Sequence, residues 1–379
     1  MVMVATVSYA LFSLSGSTVT RSTTHTVSSA SLASFSGLVV ANVTVNSKYP
    51  QVIAVSGDAS KIYVSDLAAN NLTVLDASAY FLIGAVSLPG SPEVGVAIDL
   101  KSNLIYVPVL GCLNFPNVSN GCQTGYASAS KGGIVKIDAN KDSVVGEIPI
   151  AVDNIAIDSI TGILYGTFGR NLLAINEVSG AVIGNSSLAA SPVSIAMNSK
   201  TNMLYIAACR ILSLGCEGGE ILAVNGSNLA QAYSVPLNFN GLSNLVIDQT
   251  SNNVYDVVEG QSLTLVSIDG SSGTVRFSSK IGPCGAGKIA LSMNSAQNRL
   301  YVVGYGDLVE VDAASGSLIG ILAPPSSPIL SVATDPTGLH VFLGIEGRGD
   351  GGSLVVVQNN VAQMSVDTSI LRPTAGCLP

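Results

Sequence analysis

Seven times along this chain a small polar residue stands seven positions ahead of an aromatic that closes a short apolar triplet: Ser56/Tyr63, Asp99/Tyr106, Asp158/Tyr165, Asn198/Tyr205, Asp248/Tyr255, Asn294/Tyr301 and Asp335/Phe342. A register kept over that many copies marks a repeat protein whose units are one supersecondary piece. The aromatics lie 43, 59, 40, 50, 46 and 41 residues apart, the length of a four-stranded propeller blade with insertions in the longer intervals. The expected fold is therefore all-β: a seven-bladed β-propeller of four-stranded antiparallel blades over 37–379, with blades starting near 52, 94, 152, 193, 244, 288 and 329.

Within a unit, short apolar runs bounded by Gly, Asn, Asp and Ser read as strands. In the first unit these are strand a at 52–55, b at 61–65, c at 72–76 and d at 81–87. The recurring polar residue opens the a–b turn, as in DLKSN, DSITG, NSKTN and DPTG, where an Asx side chain bonds backbone N–H groups two residues on. These carboxylates and amides are turn residues, not a catalytic set. A second recurrence closes strand c: NLTVLD at 71–76, GIVKID at 133–138, NLLAIN at 171–176, EILAVN at 220–225, LVSID at 265–269 and DLVEVD at 307–312. Its β-branched runs suit inner strands covered on both faces. For ring closure two segments compete: 38–45 and 361–366 both read as an outer strand for the seventh blade.

The apolar-Tyr-Val strand, the V-x-D strand end and the period of about 42 residues together resemble the YVTN-repeat family of β-propellers, over about residues 38–366. KIYVSDLAANNLTVLDASAYFLIGAVSLPGSP at 61–92 is the closest match, with Tyr63-Val64-Ser65-Asp66 standing where the family has Tyr-Val-Thr-Asn. The resemblance implies a seven-bladed disc and a secreted or surface location, in a family that includes surface-layer proteins. It carries no single catalytic motif.

A net charge of -8 and a pI near 4.7 argue against a phosphate-binding surface, so nucleic acid is not an expected partner. No apolar run approaches the roughly 18 residues of a spanning helix, so no transmembrane segment is expected either. Six cysteines fall in suggestive places: Cys112 and Cys122 in one insertion, Cys209 and Cys216 in another, Cys284 ahead of the sixth blade and Cys377 at the end. None has the tight spacing of a zinc site, and disulfides are the expectation. Asn-x-Ser/Thr sequences at Asn42, Asn71, Asn117, Asn185 and Asn225 point with them to an extracellular or cell-surface setting. Residues 1–36 read as a truncated signal and a Ser/Thr-rich linker; an extra strand within 2–14 is the alternative.

In a blade of alternating strands the d–a and b–c connections share one face of the disc. Insertions at 108–130, 208–219 and 346–352 read as b–c loops and 278–287 as a d–a loop, so the elaboration falls on one side. There Phe115 and Tyr126 could stack on a sugar or peptide. Glu93, Asp153, Asn154, Asn244 and Lys288 precede strands a and would line the channel mouth. Oxygens of Glu93, Asp153 and Asn154 could hold Ca²⁺, or simply water; no other cofactor is expected. With His25 and His340 the only histidines, acid–base machinery is scarce. The expectation is a non-catalytic propeller that binds a protein or glycan partner or contributes to a surface layer. The alternative is a metal-dependent, lactonase-like hydrolase with a cation at the central channel.

Overall fold

Each repeat folds into one antiparallel sheet of order a-b-c-d, and seven such sheets are present among the described residues. The computed structural model describes residues 37–359 apart from 46, 48, 67–69, 93–94, 111–131, 212–215, 238–239, 243, 261, 284–288, 305, 323–326 and 348–350. Strands a to d are Pro50–Val55, Lys61–Asp66, Asn71–Asp76 and Leu82–Ser87 in blade one, and Asn154–Asp158, Ile163–Phe168, Asn171–Asn176 and Val182–Ser187 in blade three. Blade four has Ser191–Asn198, Met203–Ile211, Glu217–Asn225 and Gln231–Pro236; blade six has Ala290–Asn294, Arg299–Gly304, Asp307–Asp312 and Leu318–Leu322. In blades two and five strand a comes in two pieces, Ser91–Pro92 with Ala97–Asp99 and Asn240–Leu242 with Val246–Asp248. Their remaining strands are Leu104–Leu110, Gly133–Asp138 and Ser143–Ile148, and Asn253–Glu259, Ser262–Asp269 and Val275–Pro283.

Blade seven settles the closure. Its strands a to c are Ile329–Thr334, His340–Ile345 and Gly352–Asn359, and its strand d is Gly37–Val45, paired from Gly37↔Asn359 to Val45↔Gly352. The segment before blade one therefore completes the last blade; the competing run 361–366 lies outside the described residues. Two expected loops are also partly strand. Strands b and c of blade four run through most of 208–219, with Ile211 opposite Glu217, and strand d of blade five extends through 278–283 to pair Pro283 with Ser262. Backbone pairing continued past the point where the repeat length suggested an insertion.

The core lies between blades, not within them. Each of seven apolar clusters joins two neighbours: Tyr63, Val74 and Val86 of blade one meet Ile105, Val107 and Val135 of blade two, and Phe342 and Val356 of blade seven meet Ile53 and Ile62 of blade one. The last contact makes the ring continuous. Strands b and c are buried on both faces, which is why they read as unbroken apolar runs. Strand d is half solvated and alternates. The six tyrosines of the opening register and Phe342 are at most 1% exposed, and truncating a core aliphatic such as Leu204 to Ala should cost about 2–5 kcal/mol.

Every outer strand carries a β-bulge at one shared position. The extra residue is Val40 in blade seven and Ile83, Val145, Ile183, Ala232, Arg276 and Ile319 in blades one to six. A bulge twists an edge strand and interrupts its ladder, which hinders edge-to-edge pairing with another chain. Among the described residues no helix is long and apolar enough to cross a membrane.

Candidate functional site

The two faces of the disc are built differently. On the face of the a–b and c–d turns, the recurring polar side chains hold the backbone. Asp99, 2% exposed, accepts from the Lys101 and Ser102 amides and from the Ser102 hydroxyl. Asp158 accepts from the Ile160 amide at 3.0 Å and from Thr161 Oγ1 at 2.6 Å, and Asp248 likewise from Thr250 and Ser251 at 2.9 and 2.6 Å. Burial pushes the Asp99 and Asp248 carboxyls up, but the hydrogen bonds they receive together outweigh it and hold both below the ordinary carboxylate value. The c–d turns repeat one device: Asp76, Asn176, Asn225, Asp269 and Asp312 each accept two backbone amides through Oδ1. Four residues on, Tyr80, Gly180, Leu229, Gly273 and Gly316 take positive φ to close the turn, as does Asp142 four beyond Asp138 in blade two.

In blades two to six the residue after strand c is a junction between blades. Its amide donates to its own a–b turn, as Ala139 to Asn103 O, Gly226 to Asn202 O and Gly270 to Asn252 O. Its carbonyl accepts the phenol of the preceding blade: Tyr165 OH reaches Gly226 O at 3.0 Å, Tyr205 reaches Gly270 O at 2.8 Å and Tyr255 reaches Ala313 O at 3.0 Å. Second donors reinforce several junctions. Lys61 Nζ joins Tyr63 on Ala139 O, Lys136 Nζ reaches Glu177 O beside the Tyr106–Glu177 bond, and Tyr233 joins Tyr205 on Gly270 O. The repeat's aromatic thus serves assembly of the ring. His340 also lies on this turn side, with Nδ1 2.9 Å from Asp335 Oδ2.

The face of the b–c and d–a connections presents exposed charge. Over blades three and four, the short turn Gly169–Arg170 lies beside the long hairpin of blade four, which the Cys209–Cys216 disulfide ties. Arg170 Nη2 donates to Arg210 O at 3.3 Å and its Nε approaches Ser191 Oγ at 3.5 Å. Arg210 makes a two-point pair with Glu220 at 3.3 and 3.4 Å. Glu220 is nearly buried, whereas the Arg210 side chain remains 58% exposed, so the guanidinium is fixed on one edge and open on the other. A planar donor held that way suits carboxylates and sugar hydroxyls. Arg170 and Arg210 were legible only weakly in the sequence: they are two of 16 cationic residues in a chain of net charge -8, with no motif around them.

Of the residues expected at the channel mouth, Asp153, Asn154 and Asn244 are described. Asp153 is exposed; its Oδ2 accepts from the Gly169 amide at 3.2 Å and its amide donates to Thr167 O at 2.7 Å. Asn154 donates to Thr167 Oγ1 at 3.2 Å and Asn244 is half-buried. Asp153 and Asn154 are adjacent, and through Gly169 they connect with the Arg170–Arg210 patch. Glu93, Lys288, Phe115, Tyr126, Cys112, Cys122, Cys284 and Cys377 lie outside the described residues. Among the described residues no group of three or more His, Cys, Asp or Glu side chains is placed to hold a metal.

No family model matches this sequence, and no curated protein matches it either. A solved structure of hydrazine synthase from Kuenenia stuttgartiensis is similar in fold, with a TM-score of 0.65 and 12% identity over 85% of this chain and 97% of that one. That identity speaks for the fold alone. Since 1645 solved chains are similar, shape selects no activity.

Proposed function

We propose that this chain is a secreted or cell-surface, non-catalytic β-propeller of the YVTN-repeat type that binds a protein or glycan partner, or a neighbouring unit of a surface layer, through its b–c and d–a face. The observation that carries the reading is the division between faces. The recurring Asp and Asn side chains of the opposite face are taken up by turns, as Asp99, Asp158 and Asp269 illustrate, while Arg210 on a disulfide-tied hairpin and Arg170 on the turn beside it stand exposed. Long loops on one side of a rigid scaffold are the usual place for recognition, and the 22-residue connection from Leu110 to Gly133 leaves on that side. A disulfide favours an oxidising compartment, which supports the location.

The partner would meet a rim of guanidinium groups backed by Ser191 and Asp153, a chemistry suited to acidic peptides and to sugars bearing carboxylates or vicinal hydroxyls. Arg170→Ala with Arg210→Ala, and separately deletion of 112–122, should each lower partner binding at a temperature where the variant remains folded, the arginine variant melting lower because Glu220 loses its guanidinium. Unchanged binding in both variants would move the site elsewhere.

A further inference from the structure

Two of the Asn-x-Ser/Thr sequences occupy the same place in the repeat. Asn42 and Asn185 each lie two residues beyond the outer-strand bulge, opposite Val355 and Leu173, in strand d of blades seven and three. Both are exposed, and so are Thr44 and Ser187, because alternate residues of an edge strand share its solvent side. Asn42 and Thr44 also border an open cleft of about 280 Å³ with Glu346 and Ser353, leaving space beside the amide. Two further sequences of the same form are placed otherwise. Asn71 has its Oδ1 buried and is followed by Leu72 and Thr73, 1% and 2% exposed. Asn225 spends its Oδ1 on the Ser227 and Asn228 amides, and the Ser227 hydroxyl accepts from Asn202 at 2.6 Å.

We infer that Asn42 and Asn185 are N-glycosylation sites of this chain and that Asn71 and Asn225 are not, an inference that rests on the extracellular location proposed above. In the transfer the side-chain amide nitrogen forms a bond to the anomeric carbon of a sugar carried on a lipid pyrophosphate. The bond from that carbon to the pyrophosphate oxygen breaks, the lipid pyrophosphate leaves with the electron pair, and the amide nitrogen releases one proton. A glycan at Asn71 would have to displace a buried strand, and at Asn225 the amide is pinned into a c–d turn through Oδ1 while the Ser227 hydroxyl that the transfer must recognise is already engaged by Asn202. At Asn42 and Asn185 it projects from the rim.

The position gives the modification a role. Val182 and Ile183, 47% and 55% exposed, stand three and two residues before Asn185, and Val40, 38% exposed, stands two residues before Asn42. A sugar there covers apolar side chains on an edge strand whose bulge already discourages pairing.

The test is peptide mapping by mass spectrometry of the full-length chain isolated from the organism that makes it, after separating cytosolic from exported material. The expected result is exported chain with glycan mass on the peptides of Asn42 and Asn185 and bare peptides at Asn71 and Asn225. Asn42→Gln with Asn185→Gln should remove that mass and bring aggregation at a lower concentration. Exported chain that is bare at Asn42 or Asn185, or modified at Asn71 or Asn225, overturns the assignment while leaving the location intact. Chain found only in the cytosol overturns the location and the assignment together.

Discussion

The phenol of Tyr205 in blade four donates to the carbonyl of Gly270 in blade five across 2.8 Å, and the Gly270 amide donates back to the a–b turn of its own blade through Asn252 O. One residue therefore ties two blades at once. The arrangement recurs at Tyr165–Gly226 and Tyr255–Ala313, so the aromatic of the repeat is retained in part for its hydroxyl.

Tyr165→Phe isolates that contribution, because the ring stays in the apolar seam and only the donor is lost. A buried hydrogen bond of this kind contributes about 1 kcal/mol, and leaving its acceptor unsatisfied raises the cost toward roughly 2 kcal/mol. Urea denaturation should show a lower midpoint with an unchanged slope; an unchanged midpoint would mean that packing alone holds the seam.

Stability should fall at both ends of the pH range. Asp99 and Asp248 have depressed values in the fold, so the stability they contribute is full above the ordinary carboxylate value of 3.8 and is lost as pH falls through the folded values. Burial pushes Tyr165 from 10.0 up to about 12, so its contribution is full below 10.0 and is lost as pH rises toward 12. Denaturation midpoints measured against pH should drop on both limbs, and Asp99→Asn should flatten the acid one. An acid limb identical in Asp99→Asn would remove that carboxylate from the account.

Ala59 holds φ +56° in the a–b turn of blade one, where Gly338 takes the same sense in blade seven. A left-handed conformation costs an L-residue about 1–2 kcal/mol, offset in part by the extra backbone entropy of glycine. Ala59→Gly is expected to stabilise by roughly 0.5 kcal/mol, read as a small rise in Tm. A fall in Tm would show that the Ala59 methyl group matters more through its packing between blades seven and one.

Cys209→Ser with Cys216→Ser opens a short loop at the end of a hairpin that is already paired as far as Ile211–Glu217. The loss should be about 2 kcal/mol by loop entropy and local in character. Amides of strands b and c of blade four should exchange faster with solvent, while those of blades one and six keep their protection. Acceleration spread evenly round the ring would make the disulfide a global staple.

Much of the architecture was legible because it is written in short-range signals. Asp or Asn at a turn and Tyr seven residues on place strands a and b, and an aliphatic residue followed by Asp or Asn ends strand c, as Leu75-Asp76 and Ile137-Asp138 do. Closure was not legible, since Gly37–Val45 and 361–366 are equally strand-like and only pairing over more than 300 residues, Gly37 with Asn359, distinguishes them. The bulges hide for another reason: one inserted residue shifts the alternation by a single place, and the pairs Leu82-Ile83 and Val144-Val145 look like ordinary apolar strand. The loop-face patch was hidden because Arg170 and Arg210 meet only when blades three and four pack. Asp153 directly precedes strand a of blade three and Asn154 opens it, so their place along the chain, though not a role at the channel, follows from the strand signal.

The most direct test is equilibrium binding of the purified full-length chain to an array of acidic peptides and glycans, with Arg170→Ala/Arg210→Ala and a Ser271→Ala variant of the opposite face in parallel. The proposed function predicts binding that falls at least tenfold in the arginine variant and is retained in Ser271→Ala. Binding that survives loss of both arginines, or fails only in Ser271→Ala, would contradict it.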